Sequence, residues 1–205
     1  MKHTRTLLAL LALSGAVALP AFAQTAAGGT CEAAMKGSGP VKVKLATSMV
    51  PIVLELDKQK APISTDNFVK YVDSGHYNGT VFHRIIDTFM IQGGGFTKDY
   101  VQKPTRAPIK NESANGLAND AYTIAMARTN VRDSATSQFF INSGNNTMLN
   151  YAGEGNPGYA VFGKVVEGRD VVDKIRKVAV KRTSVSEGQP DVPVVIEKAE
   201  CVAAS

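Results

Sequence analysis

An arginine, Arg84, sits inside an apolar run of this chain. Residues 82–96 read Phe-His-Arg-Ile-Ile-Asp-Thr-Phe-Met-Ile-Gln-Gly-Gly-Gly-Phe, and a guanidinium in such a setting is costly to bury unpaired. Two strand-like runs, Thr80–Ile86 and residues 89–92, flank a break at Asp87-Thr88. Strand side chains alternate between faces, which predicts Phe82, Arg84 and Ile86 on one side and His83 and Ile85 on the other. Met90 and Gln92 share a face in the same way. The three glycines that follow let backbone approach backbone or ligand closely. The stretch reads as one wall of a groove, with a fixed cationic donor in apolar surroundings.

Other chemistries fail on inventory. Beyond residue 23 the chain holds two histidines, His76 and His83, and two distant cysteines, Cys31 and Cys201. That is too few for a zinc cluster, so no metal site is expected. There is no Gly-x-Ser-x-Gly elbow to carry a nucleophile. Gly93-Gly94-Gly95 is not followed by Lys-Ser or Lys-Thr, which removes a phosphate loop and leaves a tight structural turn as the expectation. His83, turned away from Arg84, reads as a satisfied core histidine. The basic residues are scattered, with Arg176-Lys177 and Lys181-Arg182 the densest group, and this is a solvated face rather than a nucleic-acid surface.

The elements that must position Arg84 follow from periodicity. Residues 41–45 alternate strictly, residues 52–57 follow after a turn, and the two make a hairpin. Residues 61–74 switch to a helical period, with Phe68, Val69 and Val72 on one face, Pro62 and Ser64 or Thr65 at the start and Gly75 at the stop. Residues 97–119 form a long surface loop, of the kind that is usually functional or mobile. Residues 122–127 and 137–142 are strands. In the second, Gln138 and Phe140 oppose Phe139 and Ile141, so one phenylalanine belongs to the core and the other lines something. A second loop over 143–159, a strand over 160–166, a helix over 171–178 and a last strand over 192–201 complete the chain. About eight short strands joined by turns, with two helices, predict an antiparallel sheet closed into a barrel.

Residues 1–23 have the three parts of a secretory signal: Lys2 and Arg5, an apolar run over 7–19, and the small-x-small site Ala21-Phe22-Ala23. Cleavage leaves 182 residues with a net charge of +3 instead of +5, a length that suits one domain. Residues 24–40 are rich in small residues without a period, a flexible lead-in to a domain over 41–202. In an exported chain Cys31 and Cys201 suggest a disulfide stapling the termini, the alternative being two free thiols on frayed tails.

Phe82-His83-Arg84-Ile85-Ile86 with Phe89-Met90-Ile91-Gln92-Gly93-Gly94 closely resembles the signature of cyclophilins, the peptidyl-prolyl cis-trans isomerases. Ser137-Gln138-Phe139-Phe140-Ile141 and Tyr159-Ala160-Val161-Phe162-Gly163-Lys164-Val165 resemble two further blocks of that family, in its order and spacing. With its leader the chain looks most like the bacterial periplasmic members. The resemblance implies a mainly β fold, a closed eight-stranded antiparallel barrel capped by two α-helices, with the site on its outer surface. It implies neighbouring first and last strands, which independently favours the Cys31–Cys201 bridge.

The site it implies is Arg84 as the catalytic residue, with Phe89, Met90, Gln92, Ala127, Gln138, Phe140, Leu149 and Tyr159 binding substrate. No cofactor is implied. The expected partners are proline-containing unfolded or partly folded polypeptides, met by a monomer with no membrane attachment after signal cleavage. The expected location is the periplasm, with secretion as second choice. A proline-segment-binding chaperone without turnover is the alternative. Three positions depart from the family: Asp87-Thr88 replaces a frequent Pro-Gly, Tyr159 stands where many members have His, and Met148 or Leu149 occupies the region of a eukaryotic Trp.

Overall fold

The computed structural model describes residues 31–202; the signal expected over 1–23 and the beginning of the lead-in lie outside them. The elements are α1 (Cys31–Lys36), β1 (Val41–Thr47), β2 (Ile52–Leu56), α2 (Pro62–Asp73), β3 (Thr80–Ile86), β4 (Met90–Thr97), β5 (Thr123–Met126), β6 (Phe139–Asn142), β7 (Val161–Glu167), α3 (Arg169–Ile175), β8 (Val180–Lys181), β9 (Gln189–Pro190) and β10 (Val195–Val202). Eight strands close a barrel in the order β1-β10-β3-β4-β6-β5-β7-β2, with every neighbouring pair antiparallel. Closure leaves no strand edge to template aggregation. The two-residue strands β8 and β9 pair with each other outside the ring.

Alternation builds the interior. In β1, Val41, Val43 and Leu45 are fully buried while Lys42 and Lys44 are half-buried. A slip of one residue would invert both sets, so the burial pattern itself specifies the register. Phe68 of α2 stands 4.9 Å from Tyr77, 5.4 Å from Phe139 and 5.3 Å from Phe162, ring centre to ring centre. Val171, Val172 and Ile175 of α3 join the same core. α2 has Pro62 in its first turn, where a missing N–H costs nothing. Its free amides are satisfied from afar: the Glu112 carboxylate accepts the Ile63 N–H at 3.0 Å and the Ser64 N–H at 2.7 Å.

α1 is a third helix, formed within the stretch expected as a lead-in. Lys58 Nζ donates to the carbonyls of Ala34, Met35 and Gly37 at its C-terminal end, where cations are favoured. Cys31 at its start is bonded to Cys201 of β10, and Cys201 pairs across to Val43 of β1. The first and last barrel strands are neighbours, and the disulfide staples the helix beside them.

Two local expectations are corrected. The triple glycine is not a turn, because β4 runs through it. Gly94 has φ +82°, and a Cβ there would fall 2.8 Å from the Tyr77 ring and 2.9 Å from that of Phe139. The actual turn precedes β4, closed by the Phe89 N–H on the Ile86 carbonyl at 2.9 Å. Phe82 does not share a face with Arg84 either. The pairing of β3 with β4 shifts register on both sides of Phe82, and such a bulge advances the phase by one residue. Phe82 and Ile85 therefore enter the core, and Arg84 and Ile86 stay outside it.

Candidate active site

The outward face of the same strands carries a second, smaller apolar cluster. Its buried members are Met90 of β4, Ala125 of β5, Phe140 of β6 and Val161 of β7, none more than 4 % exposed. Ile86, Phe89, Leu117, Ala127, Leu149 and Tyr159 pack around them half-buried. The result is a shallow apolar hollow whose floor is barrel and whose walls are loops.

Hydrogen bonds hold the walls. Asn146 Nδ2 donates to the Phe89 carbonyl and to Asn142 Oδ1, both at 2.7 Å. Asn142 Nδ2 donates to Thr123 Oγ1 at 3.0 Å and to Asn119 Oδ1 at 3.3 Å. Asn119 Nδ2 in turn donates to the Leu149 carbonyl at 3.1 Å. Leu149 sits in a 3-10 turn, Thr147–Leu149, and its carbonyl also accepts the Tyr159 N–H at 2.9 Å. The Tyr159 ring meets Phe140 edge-on at 5.7 Å, and the Arg128 guanidinium lies 4.5 Å over that tyrosine. Asn119, Asn142, Asn146 and Arg128 are not among the residues that the motif implies, since they act on backbone and ring faces across loops distant in sequence.

On the polar side, Gln92 Nε2 donates to Gln138 Oε1 at 2.9 Å. Gly95 makes room for that pair: a Cβ on it would fall 2.6 Å from Gln138 Cγ. The Ala127 N–H bonds the Gln138 carbonyl at 3.0 Å, which brings Ala127 to the same corner. All nine residues implied by motif position are thus gathered around one hollow.

Arg84 is half-buried, with its guanidinium outside the barrel. Its NH1 lies 3.6 Å from Met90 Sδ and its Cζ 5.9 Å from the Phe89 ring centre, so one arm of the fork faces the hollow. The other arm is engaged, with Nε 3.1 Å and NH2 2.5 Å from Glu187 Oε1. The hydrogen bond from Arg84, with its charge, holds the Glu187 carboxyl below the usual range, and Arg182 adds to the effect. Glu187 was missed because 103 residues separate it from Arg84.

Two neighbours of Arg84 complete its surroundings, and one of them, His83, differs from expectation. His83 is buried, its ring 4.6 Å from that of Phe96 and tilted 53° to it, but its Nδ1 has no hydrogen-bond partner, so it is not satisfied. Desolvation first, and the Arg84 charge second, push its pKa from 6.5 to about 4, against a backbone contact at Val81. Asp87 does not present a bare negative charge to the hollow. Lys177 and Arg176 bind its carboxylate at 2.6 and 2.7 Å and hold its pKa low. This ties the turn before Phe89 to the end of α3.

Among the described residues no group of three or more His, Cys, Asp or Glu is placed to hold a metal ion. A separate groove of about 470 Å³, lined by Glu55, Asp57, Lys58, Thr123 and Lys164 among others, borders the hollow at Leu117 and Val161 and contains none of the nine residues.

Comparisons with known proteins bear on the family and the fold. The family model "Cyclophilin type peptidyl-prolyl cis-trans isomerase/CLD" matches residues 42–201. A peptidyl-prolyl cis-trans isomerase of Streptomyces antibioticus is 57 % identical over 163 residues, covering 77 % of this chain and 96 % of that protein. Peptidyl-prolyl cis-trans isomerase A of Dickeya dadantii is 54 % identical over 160 residues, 78 % of this chain and 84 % of its own. In fold, the chain is similar to the crystal structure of a cyclophilin-type isomerase from Cryptosporidium parvum, with a TM-score of 0.67 at 22 % identity, over 82 % of this chain and all of the other.

Proposed function

Since the chain belongs to the cyclophilin-type peptidyl-prolyl cis-trans isomerases, we propose that the outer hollow is where the reaction occurs and that Arg84 is its catalytic residue. Rotation about an X-Pro bond meets a barrier of about 18–20 kcal/mol, because the C–N bond has partial double-bond character. Twisting breaks that resonance, so the imide nitrogen recovers its lone pair and the carbonyl oxygen loses negative charge. No covalent bond is made or broken. The site has to seat the ring, favour the twisted geometry over either planar one, and donate to the emerging lone pair.

The division of labour follows. Met90, Phe140, Phe89 and Leu149 form the apolar seat for the pyrrolidine ring, with Ala127 and Tyr159 at its edge. Gln92, oriented by Gln138, hydrogen-bonds the peptide backbone. Arg84 NH1 donates to the nitrogen as it pyramidalises. The observation that carries this reading is that arm of the guanidinium standing 3.6 Å from the Met90 sulfur, at the rim of the hollow.

A hydrogen bond from a charged donor is worth about 1.5–3 kcal/mol, and each 1.36 kcal/mol is tenfold in rate. Arg84→Ala is therefore expected to cut kcat by roughly ten- to a hundredfold while peptide affinity changes little. Exchange NMR on an Ala-Pro tetrapeptide yields both quantities. A parallel loss of affinity and rate would make Arg84 structural, and an inactive wild type that still binds would favour a chaperone without turnover.

The physiological role we assign is X-Pro isomerisation during folding of exported proteins, in the periplasm of a bacterial cell, by a monomer. The signal-like residues 1–23 and the Cys31–Cys201 disulfide support it, since disulfides persist in oxidising compartments. The domain division that goes with it is a signal over 1–23, a lead-in over 24–40 and the isomerase domain over 41–202. Fractionation of cells expressing the full chain, with N-terminal sequencing of the product, tests location and cleavage together.

A further inference from the structure

We propose that Glu187 is a positioning residue for the isomerisation, fixing the Arg84 guanidinium so that one arm faces the hollow. The inference rests on the reading of Arg84 just given. An arginine side chain has many rotamers to lose, and nothing on β3 itself would hold its fork in one orientation. Glu187 supplies the missing restraint. A single oxygen, Oε1, accepts from Nε at 3.1 Å and from NH2 at 2.5 Å. Two bonds to one oxygen set the plane of the guanidinium and leave both NH1 hydrogens for the Met90 side.

The segment that brings Glu187 there is built for the purpose. It runs from β8 to β9 as a strap lying against β3, where the Ile85 N–H donates to the Gly188 carbonyl at 2.8 Å. Any side chain at 188 would prevent the approach, because a Cβ there would fall 2.2 Å from the Ile85 carbonyl oxygen. Ser186 Oγ accepts the Gly188 N–H at 3.1 Å, and Thr183 closes the tip through the Ser186 carbonyl and Gln189 Oε1. Phe82 N–H then meets the Val194 carbonyl at 3.0 Å as the strap leaves β3. Glu187 is thus the exposed residue between two buried ones, Ser186 and Gly188, its carboxylate directed along the sheet to Arg84. Arg182 is the other charged group that acts on it.

The test uses the full chain and separates kcat from peptide affinity by exchange NMR. Glu187→Ala is expected to lower kcat about three- to tenfold with peptide Kd within twofold, because the fork loses its orientation but not its charge. Glu187→Gln retains an oxygen in the same place and should keep at least half of wild-type kcat. Glu187→Lys, which repels the guanidinium, should lose the most. In an Arg84→Ala background the Glu187→Ala loss should vanish, since residues acting as a unit are non-additive.

The proposal is overturned if Glu187→Ala leaves kcat within twofold or raises it, if the loss falls on Kd, or if it persists undiminished without Arg84. It is equally overturned if Glu187→Gln loses as much as Glu187→Ala. Those results would leave the reading of Arg84 intact, provided Arg84→Ala itself is slow. A fast Arg84→Ala enzyme would sink that reading first. Thermal unfolding of each variant confirms that the strap is still docked.

Discussion

The barrel wall carries two apolar clusters back to back, and they are made from consecutive residues. In β4, Ile91 faces in and Met90 out; in β6, Phe139 and Ile141 face in and Phe140 out; in β5, Ile124 and Met126 flank the outward Ala125. The inner cluster is sealed by α2, α3 and the ring of strands. The outer one has an equally buried floor but only partial walls. The inner cluster therefore spends its apolar surface on stability, and the outer leaves part of its own accessible, as the proposed seat for a proline ring requires. The same wall that must be rigid for packing also gives the hollow a fixed shape, which is what selection between planar and twisted imides requires.

The adjacent phenylalanines give the sharpest way to break this comparison. Phe139→Ala removes a ring in edge contact with Phe68, Tyr77 and Phe82 and leaves a closed void, so about 3–5 kcal/mol of stability should be lost. Phe140→Ala opens a void that water can reach, which leaves mainly the transfer cost, about 1.5–3 kcal/mol, while weakening peptide binding. Urea unfolding and peptide titration of the pair measure both. Equal stability losses with unchanged binding would erase the distinction between the clusters.

The disulfide lies wholly on the inner side. Reducing it, or replacing Cys201 with Ser, should cost about 2–4 kcal/mol, with about 5 as the limit that the chain-entropy account sets for so long a loop. Turnover per folded molecule should not change. A fall in kcat at temperatures where the reduced protein is still folded would mean that the two faces are coupled.

His83 sharpens the comparison from acid conditions. Its folded pKa of about 4 lies below the unfolded value of 6.5, so between those limits the unfolded chain binds the extra proton. Stability is fully present above pH 6.5 and falls as the pH drops towards 4, by ~3 kcal/mol at most. His76, also held low, first by burial, acts in the same direction. Tm measured from pH 7.5 to 4.5 should decline in the wild type and distinctly less in His83→Phe. Parallel declines would show that the His83 imidazole is not the group responsible.

What the sequence disclosed, and what it hid, divides along the same physical line. Strict alternation in residues 41–45 and 52–57, and the helical period around Phe68, are local signals, and each became the expected element. The motif residues around the hollow were legible because their types and spacing match a family signature. Contacts between distant segments were not legible. Glu112 capping α2, the Asn119–Asn142–Asn146 relay and Glu187 on Arg84 all join residues whose separation no periodicity reports. The Phe82 bulge and the extended glycines of β4 were misread for a related reason: both depend on which atoms lie across the sheet.

The position of β10 carries a consequence for how the molecule comes into being. It is the final strand of the ring, yet it lies between β1 and β3. Until residues 195–202 have been synthesised, β1 has no partner on that side, and a nascent chain of seven strands is an open sheet with two bare borders. Closure of the ring therefore has to wait for β10, and loss of residues 195–202 would remove both the keystone strand and the sulfur bonded to Cys31.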